Sequence, residues 1–190
     1  VDVSIQYTSD RLDLSHAKHQ RLDRAALLMG RWLLNGSGPG GGALFSSVLF
    51  HAFEDPALPE LEVFMTPMII DENIGAGEED KAPLLQRLGR KLLVRGRKVA
   101  KPGLQIDINQ ERPKSFGTVR LKSANPSDYP VIDPNLLSHP SDVDELVRGV
   151  HVMREVMAQQ EIAQYHQGEI GVWKDARTEA EIIHAIRETA

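Results

Sequence analysis

Two segments of the sequence alternate apolar with polar residues, and the polar side chains include amides, hydroxyls and a carboxylate that could hydrogen-bond a ligand. The segments are residues 1–8 and residues 103–110. Amides and hydroxyls donate and accept hydrogen bonds, and a carboxylate accepts them, so one such face can hold a ligand in a fixed orientation. Alternation by itself favours the other interpretation, an ordinary sheet face exposed to water. The candidate binding residues are Gln6, Thr8, Gln105, Asp107 and Asn109.

The same alternation predicts strands that bury one face, which is typical of antiparallel sheets. Other segments have their apolar residues at helical spacing. The predicted strands are residues 1–8, 43–53, 61–70, 103–110 and 117–121, and the predicted helices are residues 15–34, 81–94, 141–159 and a last helix after residue 178. We therefore predict an α+β fold, a mostly antiparallel sheet of about five to six strands with helices packed on one face.

Two of the predicted helices begin at capping signals, in which a hydroxyl residue is followed three positions later by an acid. These signals are Ser141-x-x-Asp144 and Thr178-x-x-Glu181. The first predicted helix has an apolar stripe made of Leu22, Ala25, Ala26, Met29, Trp32 and Leu33.

A glycine-rich stretch, Gly36–Gly42, matches the letters of the G-x-G-x-x-G dinucleotide-binding motif. That motif binds a pyrophosphate only where a strand precedes it and a helix N-terminus follows it. Here a predicted helix precedes the stretch and a predicted strand follows it, so we interpret it as a turn and assign it no cofactor. Phe45, which follows this loop, is a candidate for the apolar edge of a binding pocket.

The seven histidines of the chain give no recognisable metal or catalytic pattern. His16 and His19 lie three residues apart, but no H-E-x-x-H motif accompanies them, and we predict no metal site. Spacing alone leaves a Ser/His/Asp triad open, but no G-x-S-x-G elbow supports one. The absence of cysteine excludes thiolate nucleophiles and disulfides.

The composition describes an ordinary globular protein, because 41% of the residues are hydrophobic. The formal net charge of -5 argues against a nucleic-acid partner, which would require a basic surface. No stretch approaches the roughly 20 apolar residues that span a bilayer. We predict a soluble protein without a transmembrane segment, and we prefer a cytoplasmic location over secretion.

The most informative part of the sequence is residues 112–137, which contain the segments RPKSFGTVRLKSANP and YPVIDPNLL, followed by Pro140, Asp142 and Gly149. This order of motifs resembles the C-terminal part of the glucose–methanol–choline (GMC) oxidoreductase family. The family usually has Arg at the position of Phe116, which is a turn residue. The similarity covers most of the chain and is weakest in residues 71–101.

The resemblance implies that the chain is the substrate-binding domain of a larger enzyme that oxidises alcohols and passes hydride to FAD. In the family, the flavin-binding segments and the catalytic histidine motif lie before and after this region. We therefore expect residues 1–190 to be a fragment that begins at a cut end, binds no FAD itself and is inactive alone. No histidine of this chain is assigned a catalytic role.

The substrate implied by the resemblance is an alcohol, and the chain adds only a preference for a neutral alcohol or polyol. Asp107 is the single acid on the predicted face, and aromatic residues make up only 5% of the sequence, whereas a quaternary ammonium group favours acids or an aromatic cage. The expected partners are this substrate and the FAD domain of the same polypeptide. A stand-alone ligand-binding module and an unrelated α+β hydrolase are the alternatives.

Overall fold

The computed structural model describes residues 1–11, 13, 15–16, 22–38, 47–69 and 102–190. Their strands are β1 (Asp2–Thr8), β2 (Ser47–His51), β3 (Leu61–Thr66), β4 (Gly103–Gln110), β5 (Thr118–Arg120) and β6 (Val131–Asp133). Their helices are α1 (Leu22–Asn35), α2 (Pro140–Met157), α3 (Gln160–Ala163), a 3-10 helix (Gly171–Lys174) and α4 (Glu179–Thr189).

The strands form a four-stranded antiparallel sheet in the order β1-β4-β3-β2 and a separate two-stranded ribbon of β5 and β6. The predicted α+β class and the antiparallel sheet are confirmed. The division of the strands between a sheet and a ribbon was not foreseen, because alternation predicts strands but not which strands pair.

The core lies between one face of the four-stranded sheet and the helices α2 and α4. Ile106 pairs with Ile5, and Ile108 pairs with Val3 on one side and Val63 on the other, so these apolar residues share one face. Directly opposite residues of paired strands point to the same side of a sheet. The helix residues buried in the same core include Leu146, Val150, Met153, Ile182 and Ile186.

Helix α2 approaches the sheet closely at Gly149, which is buried. A Cβ atom added to Gly149 would lie 2.7 Å from Cδ1 of Leu61 and 3.2 Å from Cγ2 of Ile108. Those distances are too short for ordinary packing, so the missing side chain allows the helix to lie on β3 and β4.

The element boundaries agree best with the sequence where alternation is strict. β1 and β4 lie where residues 1–8 and 103–110 were predicted. β3 ends at Thr66 rather than near residue 70, and helix α1 begins at Leu22. The predicted helix 81–94 lies outside the described residues.

The helix termini confirm one capping signal and correct the other. Thr178 and Glu181 form a complete capping box at the start of α4, as predicted. The prediction that Ser141 caps α2 is wrong, because the N-cap is His139, whose ring accepts a hydrogen bond from the backbone of Ser141. Pro140 occupies the first helical turn, where a missing N–H has no consequence, and this places the start of the helix one residue earlier.

The apolar stripe of α1 is largely exposed to solvent. The side chains of Met29 and Leu33 are 50% and 70% exposed, and Trp32 is 39% exposed. Periodicity alone predicted the helix correctly but does not show whether its apolar side is covered.

Candidate functional site

The face of the sheet opposite α2 and α4 carries the candidate binding residues, and we call it the outer face. Because side chains alternate along a strand, every residue between two core residues points to this face. On β1 and β4, the pairs Ser4–Asp107 and Gln6–Gln105 lie directly opposite each other there. The other members on the central and far strands are Glu62, Phe64, Thr66, Val48, Phe50 and Asn109.

Three of the predicted residues, with Ser4, form one hydrogen-bonded network on this face. The Ser4 hydroxyl donates to Oδ1 of Asp107 over 2.5 Å, and the Gln105 amide donates to the same oxygen over 2.8 Å. The Gln6 amide donates to Oε1 of Gln105 over 3.2 Å. Gln105 and Asp107 are 5% and 7% exposed, so both are buried although they lie on the side away from the helices.

The network fixes the orientation of the Asp107 carboxylate and engages one of its two oxygens. A buried carboxylate needs hydrogen-bond donors, and here Ser4 and Gln105 supply them. Both of these bonds end on Oδ1, so they leave the second oxygen, Oδ2, outside the network. Asp107 can therefore accept a further hydrogen bond, for example from a hydroxyl group.

The remaining predicted residues lie at the margins of this network. Asn109 is on the outer face between Asp2 and Glu62 and is half-buried. Thr8 is the last residue of β1, where its backbone N–H donates to the carbonyl of Gly168 over 3.1 Å. Phe45 lies outside the described residues.

The outer face also has an apolar half, which the sequence analysis did not include. Val48 pairs with Phe64, and Phe50 pairs with Glu62, so β2 and β3 place two aromatic rings on this face. Val48 and Phe50 are 48% and 58% exposed. Alternation within residues 47–51 is the signal that could have revealed them. Burial, followed by the proximity of Glu111, raises the pKa of Glu62 above its usual value.

Thr66 contributes an unusual polar atom to the same face. It pairs with Gln105, it is fully buried, and its Oγ1 has no hydrogen-bond partner in the part of the chain that the structure describes. A buried hydroxyl without a partner is unfavourable by about 1–3 kcal/mol, so Thr66 is a further candidate contact for a polar group.

Strand β1 is an edge strand, and residues 167–173 hold it in place. The backbone of Ile170 donates to the carbonyl of Gln6 over 2.9 Å, and the Trp173 indole donates to the carbonyl of Ser4 over 2.8 Å. These bonds give hydrogen-bond donors to two backbone carbonyls that an edge strand would otherwise leave unpaired.

The Glu169 carboxylate is the centre of a charged cluster at this edge. Arg154 binds both of its oxygens, at 2.7 and 2.8 Å, and Arg177 and the Tyr7 hydroxyl add bonds of 3.1 Å each. Burial alone would raise the pKa of Glu169, but the hydrogen bonds and the charge of Arg154, with the bonds from Tyr7 and Arg177, lower it below the usual value. Burial, and then the Glu169 charge, raises the pKa of Tyr7. The cluster ties β1 to α2 and to the segment before α4.

Asp142, in the first turn of α2, anchors the turn that precedes the ribbon. Its buried carboxylate accepts hydrogen bonds from the backbone N–H groups of Lys114 and Ser115, at 2.8 and 2.7 Å. Burial opposes ionisation, but the hydrogen bonds from Ser115 and Lys114 outweigh it and lower the pKa of Asp142. This contact joins the start of the segment RPKSFGTVRLKSANP to the first turn of helix α2.

The hydrogen bonds of His139 and His166 hold neighbouring backbone in place. The ring of His166 is within 3.0 Å of the Met157 carbonyl and accepts from the backbone of Gly168 over 3.2 Å. Within the described ranges, no group of three or more His, Cys, Asp or Glu side chains could hold a metal ion. No helix in these ranges is long and apolar enough to cross a membrane.

Comparisons with known proteins agree with the motifs of residues 112–137. A family model described as GMC oxidoreductase matches residues 113–190. The chain is 38% identical over 96 residues to an alcohol dehydrogenase [acceptor] of Pseudomonas putida, a match that covers 50% of this chain and 17% of that protein. It is 28% identical over 160 residues to an oxygen-dependent choline dehydrogenase of Escherichia coli, covering 84% of this chain and 25% of that protein.

Among solved structures, a formate oxidase of Aspergillus oryzae RIB40, studied for the modification of its FAD, has a similar fold. Its TM-score is 0.69 at 16% sequence identity, and the match covers 99% of this chain and 34% of that chain. The chain spans 17% and 25% of the length of the two curated relatives. The resemblance inferred from the sequence is confirmed: residues 113–190 match the family model described as GMC oxidoreductase, and the curated relatives that the chain matches are an alcohol dehydrogenase and a choline dehydrogenase.

Proposed function

We propose that this chain is the substrate-binding domain of an FAD-dependent oxidoreductase that acts on CH–OH groups, with the outer face as one wall of the substrate pocket. The observation that carries the proposal is the buried, hydrogen-bonded network around Asp107, on the side of the sheet away from α2 and α4. The family match and the similarity to alcohol and choline dehydrogenases support the reaction class. FAD, bound by other segments of the enzyme, supplies hydride acceptance.

The role of this chain in the reaction is to bind and orient the alcohol. Asp107 accepts a hydrogen bond from a substrate hydroxyl through Oδ2, while Ser4 and Gln105 hold the carboxylate in place. Phe50 and Phe64 cover the apolar part of the substrate. Fixing the carbon–hydrogen bond relative to its acceptor lowers the entropic part of the barrier, and the chain supplies specificity by the same contacts.

The test is the substitution Asp107→Asn in the full-length enzyme, assayed with its alcohol substrate and an artificial dye acceptor. Loss of the charged acceptor should reduce kcat/KM by about 10- to 100-fold, the effect of roughly 1.4–2.8 kcal/mol, with the flavin content unchanged. The matched control is Asp144→Asn, because Asp144 is an exposed acid on α2, on the far side of the sheet. Equal kcat/KM values for the two variants would contradict the proposed role of Asp107.

The substrate class follows from the same face. A neutral alcohol or polyol remains our prediction, because amides and hydroxyls dominate the network. A cationic amino alcohol is a second candidate, because Glu62 and Asp107 lie on the same face as Phe50 and Phe64, and acids beside aromatic rings bind ammonium groups. A screen of polyols, aliphatic alcohols and choline on the full-length enzyme separates the two candidates.

The isolated chain should neither bind FAD nor oxidise an alcohol, because residues 1–190 are proposed to contribute only one wall of the pocket. Purification of this chain alone and an absorption spectrum test the point. Flavin absorbance that remains with the chain would contradict it. Binding of an alcohol by the chain without any flavin-dependent activity of the full-length protein would favour a stand-alone binding module.

A further inference from the structure

Residues 167–173 lie along the free side of β1, and we call them the edge strap. The strap donates three hydrogen bonds to backbone carbonyls of β1, and all three acceptors belong to residues whose side chains point to the outer face. The bonds run from the Trp173 indole to Ser4 over 2.8 Å, from the Ile170 N–H to Gln6 over 2.9 Å and from the Gln167 N–H to Thr8 over 2.8 Å.

The pairing of β1 with β4 explains why the strap contacts these alternate residues. The Gln110 backbone donates to the Val1 carbonyl over 2.9 Å, so the odd-numbered residues of β1 direct their backbone groups towards β4. The even-numbered residues therefore direct theirs towards the free side. Ser4 and Asp107 are thus a non-hydrogen-bonded pair, the kind in which opposite side chains lie closest together.

The residues that the strap holds by their backbone supply donors to the outer-face network by their side chains. The Ser4 hydroxyl bonds Oδ1 of Asp107 over 2.5 Å, and the Gln6 amide bonds Gln105 over 3.2 Å. A movement of β1 away from β4 by about 1 Å would stretch the first bond beyond the length of an ordinary O–H···O hydrogen bond. The orientation of the Asp107 carboxylate therefore depends on where β1 is held.

The strap is itself fixed by Arg154 of helix α2. The Arg154 guanidinium binds the Glu169 carboxylate at 2.7 and 2.8 Å and also donates to the Trp173 carbonyl over 3.3 Å. The Arg154 and Glu169 side chains are only 18% and 7% exposed, so water and salt screen this ion pair less than an ion pair on the surface. Helix α2 thus holds the strap, and the strap holds β1.

We propose that the edge strap positions the outer-face network for the substrate, an inference that rests on the proposed function. Trp173 is the positioning residue for Ser4, and Arg154 is the positioning residue for the strap. β1 pairs with β4 on one side only, and the strap supplies the contacts that its other side would lack. A binding site needs its polar groups within about 0.5 Å of the productive geometry, so substrate affinity depends on residues that do not touch the substrate.

The competing interpretation is that the strap only stabilises the fold. A weakened strap would then lower the fraction of folded enzyme, which lowers the apparent kcat and leaves KM unchanged. A positioning role instead raises KM. It also requires the Ser4 hydroxyl, because Trp173 reaches the network through Ser4.

The test is the substitution Trp173→Phe in the full-length holoenzyme, made with and without Ser4→Ala. Phenylalanine keeps an aromatic ring in the core and removes the indole N–H. The enzyme is assayed with a dye acceptor and with the substrate that it oxidises fastest among polyols, aliphatic alcohols and choline. We expect Trp173→Phe to raise KM about 3- to 10-fold with kcat changed less than about twofold, and to change KM less than about twofold in the Ser4→Ala background.

Arg154→Lys is a second variant, and it decides the question alone if Trp173→Phe does not fold. It keeps the positive charge, loses the two-pronged contact with Glu169 and leaves the core rings in place. It should also raise KM, and by a smaller factor when Ser4→Ala is present. The control is Ile186→Val, which shortens a buried side chain of α4 that makes no bond to β1, and it should leave KM unchanged.

The outcomes separate the failure of this inference from the failure of the proposed function. A KM that stays unchanged in both strap variants overturns the inference alone, and so does a KM that Trp173→Phe raises by the same factor with and without the Ser4 hydroxyl. If Ser4→Ala and Asp107→Asn both leave kcat/KM unchanged, the outer face is not a wall of the substrate pocket, and this inference fails with the proposed function.

Discussion

Replacing Asp142 with alanine should loosen the turn before the ribbon from helix α2 and destabilise the domain. The substitution removes the acceptor of two backbone hydrogen bonds, from Lys114 at 2.8 Å and Ser115 at 2.7 Å. A hydrogen bond to a charged group is worth about 1.5–3 kcal/mol, but water can reach the freed N–H groups because both are only partly buried. We therefore expect a loss of about 2–3 kcal/mol in the free energy of unfolding.

Urea unfolding, followed through the fluorescence of the tryptophans, measures this loss. Trp173 is 2% exposed, so its emission should change when the core opens. With a slope of about 2–3 kcal/mol per molar urea, the midpoint should fall by about 1 M without a change in slope. The control is Asp144→Ala, which removes an exposed acid from the same helix and should change the free energy of unfolding by less than about 0.5 kcal/mol.

The pH dependence gives an independent check on the role of the Asp142 charge. The pKa of Asp142 is lower in the folded protein than its reference value of 3.8, so the folded state binds the proton less readily than the unfolded state. The stabilisation is therefore complete above pH 3.8 and is lost as the pH falls through the lower, folded-state pKa. Equal midpoints for Asp142→Ala and Asp144→Ala at neutral pH, or a gap between them that does not shrink in acid, would refute the reasoning.

Three further substitutions test the packing, the charged cluster and a helix cap. Gly149→Ala should destabilise the domain by about 1–2 kcal/mol in urea unfolding because its Cβ would overlap the sheet, whereas Gly30→Ala, with no atom within 4 Å of an added Cβ, should not. Glu169→Gln should lower the free energy of unfolding by about 2–4 kcal/mol, because the partly buried Arg154 then lacks a carboxylate partner. An unfolding midpoint equal to that of the unmodified chain would contradict this. Thr178→Ala should lower the free energy of unfolding by about 1 kcal/mol and reduce the helical circular dichroism of the protein, because it removes the capping box of α4. An unchanged unfolding midpoint would contradict this.

Local periodicity was sufficient to predict β1 and β4 and the face on which their polar side chains lie. The pattern of Val3 and Ile5 on one strand and Ile106 and Ile108 on the other requires one buried face. It could not give the register that joins Gln6 to Gln105, because the two residues are 99 positions apart and the choice depends on the whole core. The shared face was therefore predictable, whereas the network was not.

The charged cluster at the edge of the sheet gave no signal in the sequence. Glu169, Arg154, Arg177 and Tyr7 come from four different segments, and none of them has a distinctive spacing. Strand β6 was missed for a different reason, since three residues between prolines are too short for alternation to be recognised. The exposure of α1 was unpredictable because periodicity shows that a helix has an apolar side but not what covers it.

The burial on the outer face differs from that of an ordinary solvated sheet face, and this difference supports the proposed role of the face as a wall of a binding pocket. On a face that only meets water, polar side chains extend into solvent and large apolar side chains are withdrawn. Here Gln105, Asp107 and Thr66 are no more than 7% exposed, while Val48 and Phe50 are about half exposed. Burying polar groups is unfavourable unless they bond one another, as Gln105 and Asp107 do, and exposing Phe50 is unfavourable unless another surface covers it. A wall of a binding pocket satisfies both conditions, since it needs fixed polar groups and an apolar area that the ligand or the rest of the enzyme covers.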